Sequence, residues 1–515
     1  MNIEYTNGNE TAFRTKKTGQ DRREHSEDFM MPDYIPDIRR IAFSGVETYI
    51  EKKAAMSDRV EWECYLTYTA VLLGEDDSLR SITLRSSIGG EIKGDFDGDD
   101  LWLDVRVEDS AMRALDPRRI NGRCRICVTA YSRCAVRTAP NMSALDGGDS
   151  AFCKKNAPIS YTTVKRMTVA DRRASHDVEL DSSMPEIADI VYCRVNPIIN
   201  TVTVKDGRCE LRGAAAVDLC YCDPDGRYNT HNAKVPISDG FDFANEGCRN
   251  AMARATAGEI RAAVRNNAYA ENKVVELDFG WNADVAFAVD GECEAVDDIY
   301  STVYDLELRE KDIELERCCG AFCGSFSVSG EESCSELMID PIENVVCCRP
   351  EIKLNEVRRT DGGRLRFGGN LKIAAVCSCN SAKEGLSLCE INIPFKYERE
   401  LAVSSDDFEA VSDVRVSSVK IRSDGSKLRA DCEVSISALV TEPVSGRGIV
   451  ECKVKEELDI RRAPMTLCFK KSDDTLWDIA KRYNVGSAEL LERNGIDESE
   501  FDSKRVIVIP PPAKR

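Results

Sequence analysis

The chain has 515 residues, of which 42% are apolar, and its 70 Lys and Arg against 90 Asp and Glu leave a net charge of −20. At roughly 100–200 residues per domain, this length predicts about three to five domains, with enough apolar material for packed cores. The acidic balance argues against general binding to a nucleic-acid backbone, and no stretch approaches the roughly 20 apolar residues of a membrane helix, so neither nucleic acid nor membrane insertion is expected.

Met1–Lys17 is polar, mixed in charge and without the apolar segment of a signal peptide, so no secretory leader is expected. Residues 1–27 read as a polar N-terminal segment, either partly disordered or adding an edge strand. The chain carries 23 cysteines and three histidines, His25, His176 and His231. Cys124 and Cys127 form a lone CxxC in an alternating run, where positions i and i+3 point to opposite faces of a strand. Cys318, Cys319 and Cys323 form a denser group, but no paired CxxC units stand at zinc-finger spacing. An odd cysteine count without an export signal reads as reduced cytosolic thiols. No metal site and no cofactor are expected.

Self-similarity sets the organisation. Ile35-Pro36-Asp37-Ile38-Arg39-Arg40-Ile41-Ala42-Phe43 aligns with Met184-Pro185-Glu186-Ile187-Ala188-Asp189-Ile190-Val191-Tyr192 at an offset of 149. The second copy aligns with residues 339–349 at a further 155, with the proline shifted to Pro341. Period-two runs follow each start. Val60, Trp62, Cys64, Leu66 and Tyr68 alternate with Glu61, Glu63, Tyr65 and Thr67, and Leu101, Leu103, Val105 and Val107 with Trp102, Asp104, Arg106 and Glu108. Val275, Leu277, Phe279 and Trp281 repeat the pattern, as do Leu428, Ala430, Cys432, Val434 and Ile436. Such alternation predicts half-buried strands. Asp206-Gly207 and Asp424-Gly425 predict tight hairpin turns between strands. The expectation is mainly β: three tandem β-rich repeats at 28–138, 182–290 and 331–442, joined by linkers at 139–181, 291–330 and 443–464. Residues 139–149 have linker-like composition, and 318–332, rich in Gly, Ser and Cys, read as a connector.

After Pro464 the pattern changes to a small α+β module, strand, helix, helix, strand, over 465–512. Residues 467–471 and 504–509 are the strand candidates. Asp474 is placed to cap the first helix, where Leu476, Ile479, Ala480 and Tyr483 at i, i+3, i+4 and i+7 make one apolar face. Ser487 is placed to cap a second helix over 488–494, and Gly495 to end it. The tail from Met465 holds nine basic and nine acidic residues, so the net negative charge belongs to the rest of the chain.

The run Asp474-Thr475-Leu476-Trp477-Asp478-Ile479-Ala480-Lys481-Arg482-Tyr483, followed by Leu490-Leu491, Asn494-Gly495-Ile496 and Val508-Ile509-Pro510, resembles a LysM domain. The resemblance implies binding of N-acetylglucosamine-containing glycans such as peptidoglycan, in a shallow groove. Carried over by position, the groove is built from Asp473, Asp474, Thr475 and Leu476 on one side and Asn494, Gly495, Ile496 and Asp497 on the other. The chain departs from the family pattern at Asp473, where a glycine is usual, and at Asp502-Ser503-Lys504, where Pro-Gly-Gln is usual. With the Pro-Asp-Ile and Pro-Glu-Ile starts, the whole chain resembles SipL-type spore coat morphogenetic proteins, whose repeats are SPOCS domains. That implies a scaffold in the mother-cell cytoplasm at the forespore surface of an endospore-forming Firmicute. Its implied partner is the coat-base ATPase called stage IV sporulation protein A. Strand edges of the repeats would also allow self-association.

Catalytic motifs are missing from the sequence. There is no GxSxG, no GxxxxGK[ST] and no HExxH, and three scattered histidines do not suggest a relay. The acidic run 95–100 has Asp100 and Arg106 where a calcium loop needs Gly and Glu, so it reads as a solvated turn. The functional expectation is a non-enzymatic spore coat scaffold whose terminal module docks to a coat-base protein or to forespore glycan. The alternative is a peptidoglycan-binding cell-wall protein without a coat role.

Overall fold

A computed structural model describes residues 11–96, 101–139, 151–243, 247–337, 339, 341–379, 386–460, 463 and 465–511. The alternating segments become long antiparallel strands. The first six are β1 (Thr11–Met30), β2 (Ile38–Ala55), β3 (Arg59–Gly74), β4 (Leu79–Lys93), β5 (Leu101–Asp116) and β6 (Arg119–Arg137). They form two three-stranded sheets, β1-β6-β5 and β2-β3-β4. The sheets face each other, with β2 running alongside β5 and β4 alongside β1. Between them Trp62, Leu66 and Tyr68 of β3 meet Ile120, Ile126 and Val128 of β6, all buried. Each large side chain buried in this way contributes roughly 1.5–3 kcal/mol.

That topology occurs twice more. Strands β7 (Phe152–Glu179), β8 (Asp189–Lys205), β9 (Arg208–Cys222), β10 (Tyr228–Asp242), β11 (Cys248–Arg265) and β12 (Val274–Ser301) make sheets β7-β12-β11 and β8-β9-β10. Strands β13 (Tyr304–Ser333), β14 (Ile342–Thr360), β15 (Arg364–Cys379), β16 (Leu386–Glu400), β17 (Glu409–Ser423) and β18 (Lys427–Glu457) make β13-β18-β17 and β14-β15-β16. Local irregularities recur as well. A bulge lies between Ile50 and Lys52, between Ile199 and Thr201, and between Leu354 and Glu356. In each copy the passage from one sheet to the other is fixed by its first and last N–H groups. Met31 and Ile38 donate to the carbonyls of Arg118 and Pro117, Leu180 and Ile187 to Lys273 and Asn272, and Cys334 and Ile342 to Ser426 and Gly425. These passages coincide with the three repeated sequence starts. Asp206 and Gly207, at φ of 50° and 75°, form the hairpin turn between β8 and β9, and Gly425, at 89°, helps turn β17 into β18.

The three copies pack on one another through equivalent residues. Phe43, Tyr192 and Cys347, with Val71, Cys220 and Val376, share one buried cluster. Gly45 and Arg349 are also equivalent positions. A Cβ on Gly45 would collide with the Arg349 guanidinium, so the first copy leaves room for the arginine of the third.

Several segments differ from the sequence reading. The stretches taken as linkers hold strands: β7 occupies most of 139–181, β12 and β13 run through 291–330, and β18 continues to Glu457. The stretch 318–332 is part of β13, paired along its length with β18. Gly, Ser and Cys are small enough for close packing here, where the strand lies between copies. Residues 11–27 lie in β1, an edge strand paired with β6. Residues 97–100 and 140–149 lie outside the described residues.

Two polar clusters make specific predictions. Glu442, 1% exposed, accepts hydrogen bonds from the Arg317 guanidinium and from the N–H groups of Ser404 and Ser405. Burial alone would raise this carboxyl, but its donors together hold it at about 2. Glu442→Gln is expected to cost about 2 kcal/mol, read as a lower urea midpoint, and to loosen 401–408 in hydrogen exchange.

His25 sits between β1, β3 and β4, its Nδ1 2.7 Å from the Tyr68 hydroxyl and its Nε2 2.9 Å from Ser86 Oγ. Burial lowers its pKa more than Glu27 raises it, and burial likewise lowers that of His231 despite Asp181. The unfolded chain therefore takes up these protons more readily than the folded one. Their contribution is complete above the ordinary histidine value of about 6.5 and fades as pH falls through the lowered folded values. The urea midpoint is expected to drop between about pH 7 and pH 5, with a shallower drop in the His25→Asn, His231→Asn double variant.

Candidate functional site

The C-terminal module starts with β19 (Thr466–Phe469), followed by α1 (Leu476–Arg482), α2 (Ser487–Asn494), a short α3 (Glu498–Phe501) and β20 (Val506–Ile509), which pairs with β19. The apolar spacing of α1 buries Ile479 and Ala480 completely, with Leu476 and Tyr483 half-buried beside them. Leu490, Phe501, Ile507 and Ile509 complete the core. Gly495 ends α2 in the left-handed region at φ 57°, as its position predicts. The caps differ from expectation by one residue. Thr475 is the N-cap of α1, its hydroxyl accepting the Asp478 N–H at 3.2 Å while Asp478 accepts the Thr475 N–H at 3.0 Å. Gly486, not Ser487, is the N-cap of α2. The sequence reading did not include α3.

Four of the eight expected groove residues, Thr475 among them, have structural duties. Asp474 is buried, ion-paired to Arg482 at 2.6 Å and accepting the Lys471 N–H at 2.9 Å. The Arg482 hydrogen bond, then that N–H, hold its carboxyl down to about 2. Asn494 joins α2 to β20: its Nδ2 donates to the Leu490 and Val508 carbonyls and its Oδ1 accepts the Val508 N–H, all at 2.8 Å. Asp497 caps α3 through a reciprocal bond pair with Glu500. That leaves Asp473, exposed, the exposed backbone at Gly495, and the half-buried Leu476 and Ile496. Both of these apolar side chains pack on the same core, which brings the two loops onto one body. The arrangement offers an apolar rim with backbone and carboxylate hydrogen-bonding groups, the type of surface a sugar ring can lie on.

A second surface was not anticipated. The outward face of β19 and β20 pairs Leu467 with Val508 and Phe469 with Val506. Leu467 is 44% exposed, Phe469 76% and Val506 40%. The strand alternation was legible, but not that its second face would stay uncovered.

The module is also seated on the β body. The Trp477 indole donates to Asp298 at 2.8 Å, Lys481 bonds both Asp298 oxygens at 2.7 Å, and the Tyr300 hydroxyl donates to the Val485 carbonyl at 2.7 Å. Tyr300 meets Trp477 edge-on, with ring centroids 4.9 Å apart. Burial pushes the Asp298 carboxyl up, but the bonds from Lys481 and Trp477 outweigh it and hold it below its ordinary value. Among the described residues, no group of three or more His, Cys, Asp or Glu is arranged to hold a metal ion, and no helix is long and apolar enough to cross a membrane.

No curated protein and no solved structure matches the chain. Residues 471–510 match the family model described as LysM domain, a span that takes in all three helices and β20. The C-terminal module of this chain, with its capped helices on a common core, is a LysM domain.

Proposed function

We propose that the chain is a non-enzymatic binding scaffold whose LysM domain recognises N-acetylglucosamine-containing glycan of the peptidoglycan type, while the β body positions it. The observation that carries this is the LysM match, together with Leu476 and Ile496, half-buried on one core, and exposed Gly495 next to Ile496. The test is co-sedimentation of the full chain with purified peptidoglycan. Wild type is expected to sediment in a salt-tolerant way, and the Leu476→Ala, Ile496→Ala double variant to stay in the supernatant. Equal sedimentation of both would remove the groove from the interaction.

A protein partner is the second reading, favoured by the uncovered apolar face of β19 and β20. The three repeated starts and the terminal LysM resemble SipL-type proteins. On that resemblance the scaffold works in the mother-cell cytoplasm at the forespore surface, and its partner is the coat-base ATPase, stage IV sporulation protein A. Affinity capture from sporulating cells separates the two surfaces. Loss of the ATPase with Phe469→Asp but not with the groove variant would assign the partner to the sheet face. Capture unchanged by ending the chain at residue 464 would exclude the LysM domain from it.

A further inference from the structure

A cavity of about 250 Å³ lies where the three β modules meet. Its walls come from all of them: Trp102 and Tyr131 from the first, Arg166 and Arg254 from the second, Glu409 from the third. Two arginines here are in opposite conditions. Arg254 is saturated, donating to Asp104 at 2.9 Å and to Asp284 at 3.1 Å. Arg166 lies flat on Trp102, its guanidinium carbon 3.5 Å from the ring centroid and 5.0 Å from that of Tyr131. Among the described residues it makes no ion pair, and its buried Nε has no hydrogen-bond partner. Stacking satisfies the face of a guanidinium but leaves its N–H edge in need of an oxyanion.

Across the cavity Glu409 is in the complementary condition. It is exposed and, among the described residues, forms no ion pair; its charge acts on Arg166, though less than that of Asp104. Glu316 stands beside it, pushed up to about 7 by its own burial and by repulsion from Glu409. The opposite charges within reach are already committed: Asp104, which Arg166 feels most, accepts from Arg106 and Arg254, and Arg14, which Glu316 feels, is ion-paired to Glu314, so among the described residues neither Arg166 nor Glu409 has an ion-pair partner. A simple anion would answer only one of these needs and would face Glu409.

We infer that this junction cavity binds a small zwitterion of the α-amino-acid class, its carboxylate on Arg166, its ammonium on Glu409 and its side chain against the apolar wall of Met252, Ala286 and Val411. The ligand touches all three modules, so binding stabilises their mutual packing by mass action. The site is separate from the LysM groove and independent of what that groove binds.

The test is isothermal titration and thermal denaturation of the full chain with three probes: L-leucine, acetate and isobutylamine. Leucine is expected to bind saturably and raise the melting temperature, and acetate and isobutylamine to bind at least about tenfold more weakly. Arg166→Gln and Glu409→Gln are each expected to weaken leucine binding about tenfold or more. Glu409 is on the rim, so its variant keeps the test decisive if Arg166→Gln does not fold. The proposal is overturned if leucine shows no saturable binding, if acetate binds as tightly as leucine, or if Glu409→Gln binds leucine like wild type.

Discussion

Trp477→Ala is expected to release the LysM domain from the β body while leaving both folded. Trp477 is the hinge-point of the seat: its ring packs edge-on against Tyr300, and its indole N–H bonds to Asp298. Truncating a packed tryptophan costs about 3 kcal/mol or more, and Asp298 loses one of the donors that hold it ionised. Lys481 would remain on Asp298, but a half-exposed ion pair alone contributes at most about 1 kcal/mol. Limited proteolysis is then expected to separate the LysM domain from the β body faster than in wild type, and hydrogen exchange to rise at Val485 and Ser301. An unchanged digestion pattern would mean that the seat rests on other contacts. Asp298→Asn with Lys481→Met, as a double-mutant cycle, reports the remaining polar coupling.

Gly369→Ala is expected to cost about 3 kcal/mol, a large effect for one added methyl group. The added Cβ would collide with the Lys353 carbonyl oxygen and come within 2.7 Å of the Phe395 ring. Gly213→Ala would collide in the same way with the Ile198 carbonyl oxygen. Both glycines stand opposite the recurrent bulge, paired with Leu354 and Ile199, where the bulged strand tips a carbonyl toward its neighbour. A backbone atom of a central pair cannot rotate away as a side chain can. The first copy carries Cys64 at this place, paired with Ile50, so its bulge leaves space that the other two lack. Gly258→Ala is the control, since its Cβ meets nothing closer than 3.4 Å, and it should shift the urea midpoint little. If Gly369→Ala matched that control, the close approach at the bulge would be disproved.

Within the C-terminal module the sequence reading erred by single residues. Thr475 and Asp478 hold the spacing of a reciprocal cap, yet Asp474 is the more usual residue type for capping. The choice between them depends on Arg482, which draws Asp474 into an ion pair once the turn after β19 has folded. The body shows the same division on a larger scale. Wherever a strand has one face on a core and one in water, as in Val60–Tyr68, its alternation identified it directly. Where a strand passes between copies, both faces are covered and the alternation stops. Ile436 through Glu442 in β18 are all buried, and so are Val285 through Ala288 in β12. Such runs have no period to read, so the strands were cut short and their ends taken for linkers.

The strand-forming pattern, the three repeated starts and the amphipathic helices of the LysM domain were therefore settled by sequence alone, because each depends on neighbours a few residues away. Which sheets pair, how the three copies close on Phe43, Tyr192 and Cys347, and where Trp477 finds Asp298 were decided only in the tertiary structure. Those contacts join residues more than 100 positions apart, and no local periodicity records a partner that chain folding alone brings near.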